Sequence, residues 1–407
     1  LVRSRGLGDV YKRQEQLAAG VRFVRMVRAG SYDVVVGNPP YQGLSKTASF
    51  EYVGKHYPRG KADLYAAFLE RGLEFVRPGG VSALVTMRGW MFLNQFRELR
   101  EHLLHHSMVR SLGDLGTGAF SSRSMDDVIS TVLVVALRSI PDGTSLAIQA
   151  GPLADARRDA GKPARRNAAL LAQVGRHEFD PRGFEVIEGE PIVYWWSREF
   201  LQNYSQLPTI GMQSPGLVGL RTSDNGRFVR RPWECGPTSL WFRGFEEACD
   251  VREIESPRFV PYIKGARGRV WIDDTSDVAQ WYCEGLPYLL AFEHKYAGFT
   301  SIQNRAWYFR PAIAFAMIGN VFSARVHRYR SIVGHKGASV FRNDVAQTVC
   351  LMNSRRAKFV LESLNPGIGF EVGDVNRLPL FAVEGSGEIY AMVERGFSAV
   401  SYTHLTL

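Results

Sequence analysis

The first third of the chain alternates between short β-branched or apolar runs and stretches in which apolar residues recur at helical spacing. Short apolar runs bounded by Gly or Pro are typical of buried strands, and apolar residues three or four apart are typical of amphipathic helices. Because strands and helices alternate, we expect a parallel sheet with crossover helices, and the last two strands could pair as an antiparallel hairpin. The pattern predicts strands at 33–36, 81–86, 109–115 and 128–137, the end of a helix at 21–28, and helices at 62–76 and 95–105.

Several stretches interrupt this pattern. A polar loop is predicted at 42–60, and Arg77-Pro78-Gly79-Gly80 is predicted to stop the preceding helix and turn the chain. The stretch Ile140–Gly183 is rich in Ala, Arg, Gly and Pro, which predicts a linker with one helical stretch near 164–174. From Gly211 to Phe381, short β-like runs are broken by Gly, Asn and Pro, which predicts a second domain.

Composition limits the class of protein. A chain of 407 residues is long enough for two domains, and its 45% hydrophobic and 22% charged content is typical of a globular protein. No apolar run approaches the length needed to cross a bilayer. The four cysteines lack a C-x-x-C pair, so we expect neither a metal site nor disulfides. The same cysteine usage predicts a cytoplasmic protein. The net charge of +10 favours a nucleic-acid partner, although a GC-rich genome also raises Arg content.

One four-residue motif carries candidate chemistry. Asn38-Pro39-Pro40-Tyr41 directly follows the first predicted strand and Gly37. Ligands of open α/β sheets bind at the carboxyl ends of the strands, and prolines fix the backbone of such a loop. The Asn38 side-chain oxygen and the Pro39 carbonyl can accept both N–H bonds of an exocyclic amine, while the Tyr41 ring can stack on a planar base. The alternative is an ordinary proline-rich turn with a packing tyrosine.

The motif resembles the catalytic loop of amino-methyltransferases that use S-adenosylmethionine, in the adenine-N6 version. From Tyr32 to about Phe381, the chain resembles the adenine methyltransferases of BREX phage-defence systems, the PglX family. One departure is Ser223, where the family pattern has Gly in a Thr-Gly-Asp-Asn run. The matching stretches are Val34–Gln42, Tyr57–Tyr65, Arg77–Gly80, Trp90–Leu93, Leu115–Phe120, Gly219–Phe228 and Leu364–Val375.

The resemblance implies an α/β fold. It consists of the C-terminal half of a class I (Rossmann-like) methyltransferase sheet and a mixed α+β target-recognition domain. The catalytic part is predicted at 15–140, a linker at 141–200 and the DNA target-recognition domain at 201–385. Residues 1–14 and part of 386–407 resemble translated adapter sequence, so we expect an internal fragment of a longer protein.

The implied activity is site-specific DNA adenine-N6 methylation in a phage-defence or restriction-modification system. S-Adenosylmethionine would be the cofactor, and the partner would be double-stranded DNA with a flipped adenine, together with other phage-defence proteins. The cofactor-binding residues are expected upstream, so the fragment alone is expected to be inactive. The resemblance places Asp63 and Tyr65 in the substrate pocket, but they could equally be a carboxylate at the start of a helix and a packing aromatic residue. The implied catalytic residues are Asn38, Pro39, Pro40 and Tyr41, and the substrate-pocket candidates are Gly37, Asp63 and Tyr65.

Basic and aromatic residues alternate through the second predicted domain. Such a cluster suits a DNA backbone, with base-edge contacts supplying specificity. The alternative is a solvated basic surface over an aromatic core. The DNA-binding candidates are Arg221, Arg227, Arg230, Lys264, Arg267, Arg269, Arg325, Arg328 and Lys336.

Other titratable groups give weaker signals. Asp126-Asp127 and Asp273-Asp274 are adjacent and would point apart in a strand, so neither is a good acid–base pair. His105-His106 ends a predicted helix, which favours compensation of the helix dipole. His327 and His335 could contact DNA or lie on the surface. The glycine-rich stretch Gly113–Gly118 is predicted to be a turn.

Two other functions fit the same residues. A protein glutamine-N5 methyltransferase would also present a planar amide nitrogen to the loop, although such enzymes need no large basic second domain. A non-catalytic DNA-binding module would use the basic domain alone. Methylation of protein but not DNA would favour the first alternative, and failure to bind the cofactor would favour the second.

Overall fold

The computed structural model describes residues 16–45, 49–117, 119, 129–150, 162–248, 254–265, 268–295, 302–319, 321–367 and 369–404. The chain divides into two compact units, Leu1–Gln202 and Asn203–Leu407. Within the described residues, no helix is both long enough and apolar enough to cross a membrane.

The first unit is built on a six-stranded mixed sheet in the order β1-β2-β4-β3-β5-β6. Four of its strands are parallel, β4 runs antiparallel between β2 and β3, and β6 runs antiparallel to β5. The strands are β1 (Tyr32–Gly37), β2 (Val76–Met87), β3 (Met108–Thr117), β4 (Ser130–Leu137), β5 (Ser145–Gln149) and β6 (Arg176–Phe179). The helices are α1 (16–26), α2 (Phe50–His56), α3 (Leu64–Phe75), α4 (Arg97–His106), α5 (Lys162–Leu171) and α6 (Arg198–Gln206).

The predicted α/β fold class is confirmed, including the antiparallel pairing of the last two predicted strands. Leu112 of β3 lies opposite Val134 of β4, and Leu84 of β2 lies opposite the same valine. The second antiparallel partner of β4 is β2, so β4 separates β2 from β3. The arrangement β1-β2-β4-β3 is the one expected for the second half of a class I methyltransferase sheet.

The prediction that 33–36 is a buried strand is wrong in one respect. Residues 32–37 do form β1, but β1 lies at the end of the sheet and no residue in it is fully buried. Val34 and Val36 are 55% and 77% exposed. No strand that the structure describes pairs with the second edge of β1, so a sequence typical of an interior strand lies at an edge.

The predicted turn at Arg77-Pro78-Gly79-Gly80 is also wrong, because these residues lie inside β2. Tyr32 pairs with Val76 and Val34 with Val81, so the four residues form a bulge in β2. Gly79 adopts a φ of +78° and donates its N–H to the Arg138 carbonyl at 2.8 Å. The strand therefore keeps its pairing with β4 across the bulge.

Composition alone misassigned the predicted linker and the polar loop. The stretch 141–200 contributes β5 and β6 to the sheet, because Ala147 is fully buried and pairs with Leu112 of β3. The helical stretch predicted near 164–174 is present as α5. The polar loop predicted at 42–60 contains α2.

The second unit is a mixed α+β structure with two small sheets. A five-stranded sheet has the order β10-β13-β12-β15-β7, and a four-stranded sheet has the order β14-β9-β11-β8. The strands are β7 (Gly216–Leu217), β8 (Val229–Arg230), β9 (Arg258–Ile263), β10 (Trp271–Ile272), β11 (Val278–Trp281), β12 (Ile313–Phe315), β13 (Ala324–Val326), β14 (Ile332–Val333) and β15 (Ser339–Val340). The helices are α7 (Ile210–Gln213), α8 (Asn225–Phe228), α9 (Leu286–Lys295), α10 (Val345–Met352), α11 (Arg355–Leu364), α12 (Val372–Asn376) and α13 (Ser386–His404).

The core of the second unit explains much of its aromatic content. Trp281, Tyr262 and Phe309 belong to one buried cluster around the four-stranded sheet.

Ser223, the departure from the family pattern, adopts a left-handed φ of +52°. Glycine adopts that conformation without steric cost, which explains why the family pattern has glycine at this position.

Candidate active site

The Asn38–Tyr41 loop follows the carboxyl end of β1, and a hydrogen bond within the loop orients the Asn38 side chain. Pro39 is buried, Asn38 and Pro40 are exposed, and Tyr41 is half-buried. The Tyr41 hydroxyl donates to Asn38 Oδ1 at 3.2 Å. With the backbone fixed by two prolines, this bond orients an exposed carbonyl oxygen that can still accept a second donor.

The Tyr41 ring rests on a second tyrosine. Tyr41 and Tyr65 meet edge to face, with ring centroids 6.0 Å apart and planes at 87°. Tyr65 is 1% exposed and also packs against Phe96 at 5.7 Å. Burial raises the pKa of Tyr41 to about 12, so its hydroxyl remains protonated and able to donate near neutral pH.

Asp63 ties the end of the loop to the start of α3. Its Oδ1 accepts the Gln42 backbone N–H at 2.9 Å and caps α3 by accepting the Tyr65 N–H at 3.4 Å. The Leu64 N–H donates to the Gln42 carbonyl at 3.0 Å. Burial raises the pKa of Asp63, and the backbone donors oppose that shift. These contacts are those of a helix-start carboxylate, and a direct role for Asp63 toward a substrate stays a prediction.

Gly37 and Tyr65 have packing roles in the structure. A Cβ on Gly37 would lie 3.2 Å from Leu84 Cδ2, so glycine lets β1 approach β2 closely just before the loop. Tyr65 is a packing aromatic residue under Tyr41. Both residues position the loop, and their contact with a substrate stays a prediction.

A buried ionic cluster lies at the same carboxyl edge of the sheet. Asp114 of β3 is 3% exposed and binds Arg88, which follows β2, through Nε at 2.8 Å. The Tyr194 hydroxyl donates to the same carboxylate at 2.7 Å, and this burial raises the pKa of Tyr194. The strand predicted at 109–115 contains Asp114, but the sequence does not show that Arg88 and Tyr194 meet this residue. The turn predicted at 113–118 is wrong for its described residues, since 113–117 belong to β3 with a register shift after Asp114.

Three of the predicted DNA-binding residues converge in the second unit. Lys264, Arg269 and Arg325 line a cavity of about 280 Å³ together with Arg231. Arg325 is only 1% exposed. Sequence reasoning did not select Arg231, because no spacing along the chain connects it with residues that lie more than thirty positions away.

The other described basic candidates are not among the residues that line this cavity. Arg221 is exposed, and its Nη2 lies 3.3 Å from His335 Nε2, next to the exposed Lys336. Arg227 lies over the ring of the next residue, Phe228, with the guanidinium carbon 4.9 Å from the ring centroid. The remaining placements are Arg230, half-buried and bonded to the Gly226 carbonyl; Arg328, exposed above the Tyr329 ring; and Arg267, outside the described residues.

The predictions for acidic residues and histidines have mixed outcomes. Asp273 and Asp274 hold different arginines, Arg325 and Arg269, as expected for adjacent carboxylates that point apart. Both alternatives for His327 are wrong, because it is 2% exposed and its pKa is lowered to about 3 by burial. His105 lies in the last turn of α4 but also lies 2.9 Å from Glu190, which raises the pKa of His105. Asp126-Asp127 lie outside the described residues.

Comparison with known proteins shows what the chain is similar to. The model of the Eco57I restriction-modification methylases matches residues 8–120. The adenine-specific methyltransferase PglX of Lacticaseibacillus casei (strain Zhang) is 29% identical over 95% of this chain and 32% of its own length. The adenine-specific methyltransferase BrxX of Escherichia coli O9:H4 (strain HS) is 24% identical over 92% of this chain and 30% of its own.

The chain is similar to the PglX and BrxX adenine-specific methyltransferases. The resemblance drawn from the sequence motifs is thereby confirmed. The chain spans about a third of the length of these PglX and BrxX relatives.

Two solved complexes show a broad structural similarity. The type IIL restriction-modification enzyme MmeI in complex with DNA matches 88% of this chain and 46% of its own, with a TM-score of 0.49 and 11% identity. The DrdV–DNA complex matches 92% of this chain and 44% of its own, with a TM-score of 0.44 and 12% identity.

The described residues contain no group of three or more His, Cys, Asp or Glu side chains placed to hold a metal ion.

Proposed function

We propose that this chain carries the substrate loop and a DNA-binding unit of a site-specific DNA adenine-N6 methyltransferase that acts in phage defence. The observation that supports this most strongly is the Asn38–Tyr41 loop at the carboxyl end of β1, where the Tyr41 hydroxyl orients Asn38 Oδ1. The similarity to PglX and BrxX along nearly the whole chain supports the same reaction. The basic second unit supports duplex DNA as the substrate.

The loop can perform its part of this reaction by hydrogen bonding alone. An adenine amine that leaves the duplex would donate its two N6–H bonds to Asn38 Oδ1 and the Pro39 carbonyl. Accepting these bonds raises the electron density on N6 and fixes the direction of its lone pair. The Tyr41 ring would stack on the base, and the excess proton on N6 would leave to solvent after transfer. No covalent intermediate with the protein is required.

S-Adenosylmethionine would supply the electrophilic methyl group when bound. We propose that the cofactor-binding residues lie in the part of the relatives that this chain does not span. The DNA substrate favours the cytoplasm as the compartment, and other phage-defence proteins would be the partners.

An Asn38→Ala change in the full-length parent tests the proposed reaction. We expect adenine methylation at the target sequence to disappear, because the acceptor for one N6–H bond is lost. The measurement is long-read methylation mapping of DNA from cells that carry the gene. Asn203→Ala is the matched control, since Asn203 is an exposed asparagine in α6, far along the chain from the loop. Unchanged methylation in the Asn38→Ala strain, at normal protein abundance, would exclude this function.

A further inference from the structure

One cavity in the second unit has the properties of a built anion site. It measures about 280 Å³ and lies between segments that are distant in sequence. We call it the Arg325 cleft. Its lining residues are Arg231, Tyr262, Lys264, Gly265, Arg269, Asp273, Asp274, Ser276, Asp277 and Arg325.

The orientation of Arg325 is fixed from two sides. Its Nε donates to Asp273 Oδ2, and its Nη2 donates to the Lys264 carbonyl. The parallel pairing of β10 with β13 brings these groups together, since Trp271 lies opposite Arg325 and Asp273 follows two residues later. The planar guanidinium therefore cannot turn toward another partner without breaking one of these bonds.

Arg325 Nη1 is the unexplained group. It is buried, and it has no hydrogen-bond partner among the residues that the structure describes. Buried donors are nearly always satisfied, and a guanidinium nitrogen can donate two hydrogen bonds. Arg325 is one of the residues that line the polar cleft, so an acceptor bound in the cleft would lie beside its guanidinium.

The charges around the cleft favour an anionic acceptor. Four cationic and three carboxylate side chains line it, which leaves one net positive charge. Asp277 is shared between Lys264 Nζ at 3.1 Å and Arg231 Nη1 at 3.6 Å, and Arg269 pairs with Asp274. Lys264 and Arg269 are 33% and 50% exposed, so their cationic groups can reach an anion that enters from solvent.

We propose that the Arg325 cleft binds one phosphodiester group of the duplex. The proposal rests on the proposed function, because it takes the DNA substrate as given. A phosphate oxygen would accept from Arg325 Nη1, while Lys264 and Arg269 at the rim would contribute charge. A phosphate is favoured over a base edge because cations from three separate segments converge on the cleft.

The test measures duplex DNA affinity against salt concentration for the whole chain and three variants. Arg325→Gln removes the buried donor, and Arg269→Gln removes a rim charge. Arg305→Gln is the matched control, since Arg305 is a half-exposed arginine with one carboxylate partner, Glu284. We expect about tenfold weaker binding for the two cleft variants at low salt, and a slope of log K against log salt that falls in magnitude by about one. The control should have the affinity and the salt slope of the unsubstituted chain.

A second arm uses inorganic phosphate as the probe, titrated into the same proteins by calorimetry. The parent chain and Arg305→Gln should bind phosphate, and the cleft variants should not. Should Arg325→Gln fail to fold by circular dichroism, Arg269→Gln decides both arms.

The outcomes separate this proposal from the proposed function. An unchanged salt slope with unchanged phosphate binding in folded cleft variants overturns the site. A changed target sequence with an unchanged slope also overturns it, because it points to a base-edge contact. Phosphate binding that depends on the cleft, in a chain that binds no DNA, supports an anion site but contradicts the proposed function.

Discussion

At the scale of single residues, Tyr41 has two separable parts. Its hydroxyl orients Asn38, and its ring offers a stacking surface supported by Tyr65. The sequence motif suggested only the ring. The hydroxyl contact depends on how the two prolines curve the loop, which no residue pattern specifies.

Tyr41→Phe in the full-length parent should separate the two parts. We expect a roughly fivefold slower single-turnover methylation rate, because a net hydrogen bond contributes about 1 kcal/mol and the ring is retained. Tyr52→Phe, on the exposed surface of α2, is the control. A Tyr41→Phe rate equal to that of the parent would show that Asn38 is positioned without the hydroxyl.

At the scale of elements, the sequence predicted most strands and helices but not their surroundings. Helical spacing identified α3, whose buried face carries Tyr65 and Leu69, although Phe68 is 43% exposed and Glu70 is buried. The exposure of Val34 and the buried ionic cluster at Asp114 depend on which strands become neighbours. Asp114 meets Arg88 and Tyr194 across many intervening residues, and local periodicity carries no information about such contacts.

The exposed edge strand β1 should promote association between copies of this chain. Val36 is 77% exposed, and apolar edge strands are prone to pair with other strands. We expect Val36→Lys to reduce self-association at micromolar concentration, measured by sedimentation velocity, without lowering the thermal midpoint. Met212→Lys removes a side chain that is 80% exposed in the second unit and serves as the control. Equal effects of the two changes would show that the β1 edge has no special role.

At the scale of the whole molecule, the cavity around Arg325 joins groups that no local pattern connects. The sequence predicted a basic second domain, but it did not predict that Arg325 is buried or that Asp273 holds it. His327, two residues further along, was expected near the surface and is fully enclosed. Its ring lies 2.9 Å from the Ser339 hydroxyl.

The buried His327 should make global stability depend on pH. Burial lowers its pKa to about 3, whereas an unfolded histidine titrates near about 6.5. Its contribution is therefore fully present above pH ~6.5 and is lost as the pH falls toward about 3, at roughly 1.4 kcal/mol per pH unit.

Calorimetric unfolding of the parent chain and a His327→Gln variant at several pH values measures this effect. Glutamine can still hydrogen bond to Ser339 but does not titrate. The parent should lose about 2 kcal/mol more than the variant between pH ~6.5 and ~5. Parallel pH profiles for the two proteins would contradict the burial of a neutral histidine.

The bulge at Arg77–Gly80 has a consequence for how this sheet can vary in length. It absorbs residues between the pairs Tyr32–Val76 and Val34–Val81, and a Cβ on Gly79 would meet no atom within 4 Å. An insertion or deletion confined to the bulge would leave Val34–Gly37 in register with Val81–Leu84. The Asn38–Tyr41 loop is thus insulated from changes in the length of the connection after α3.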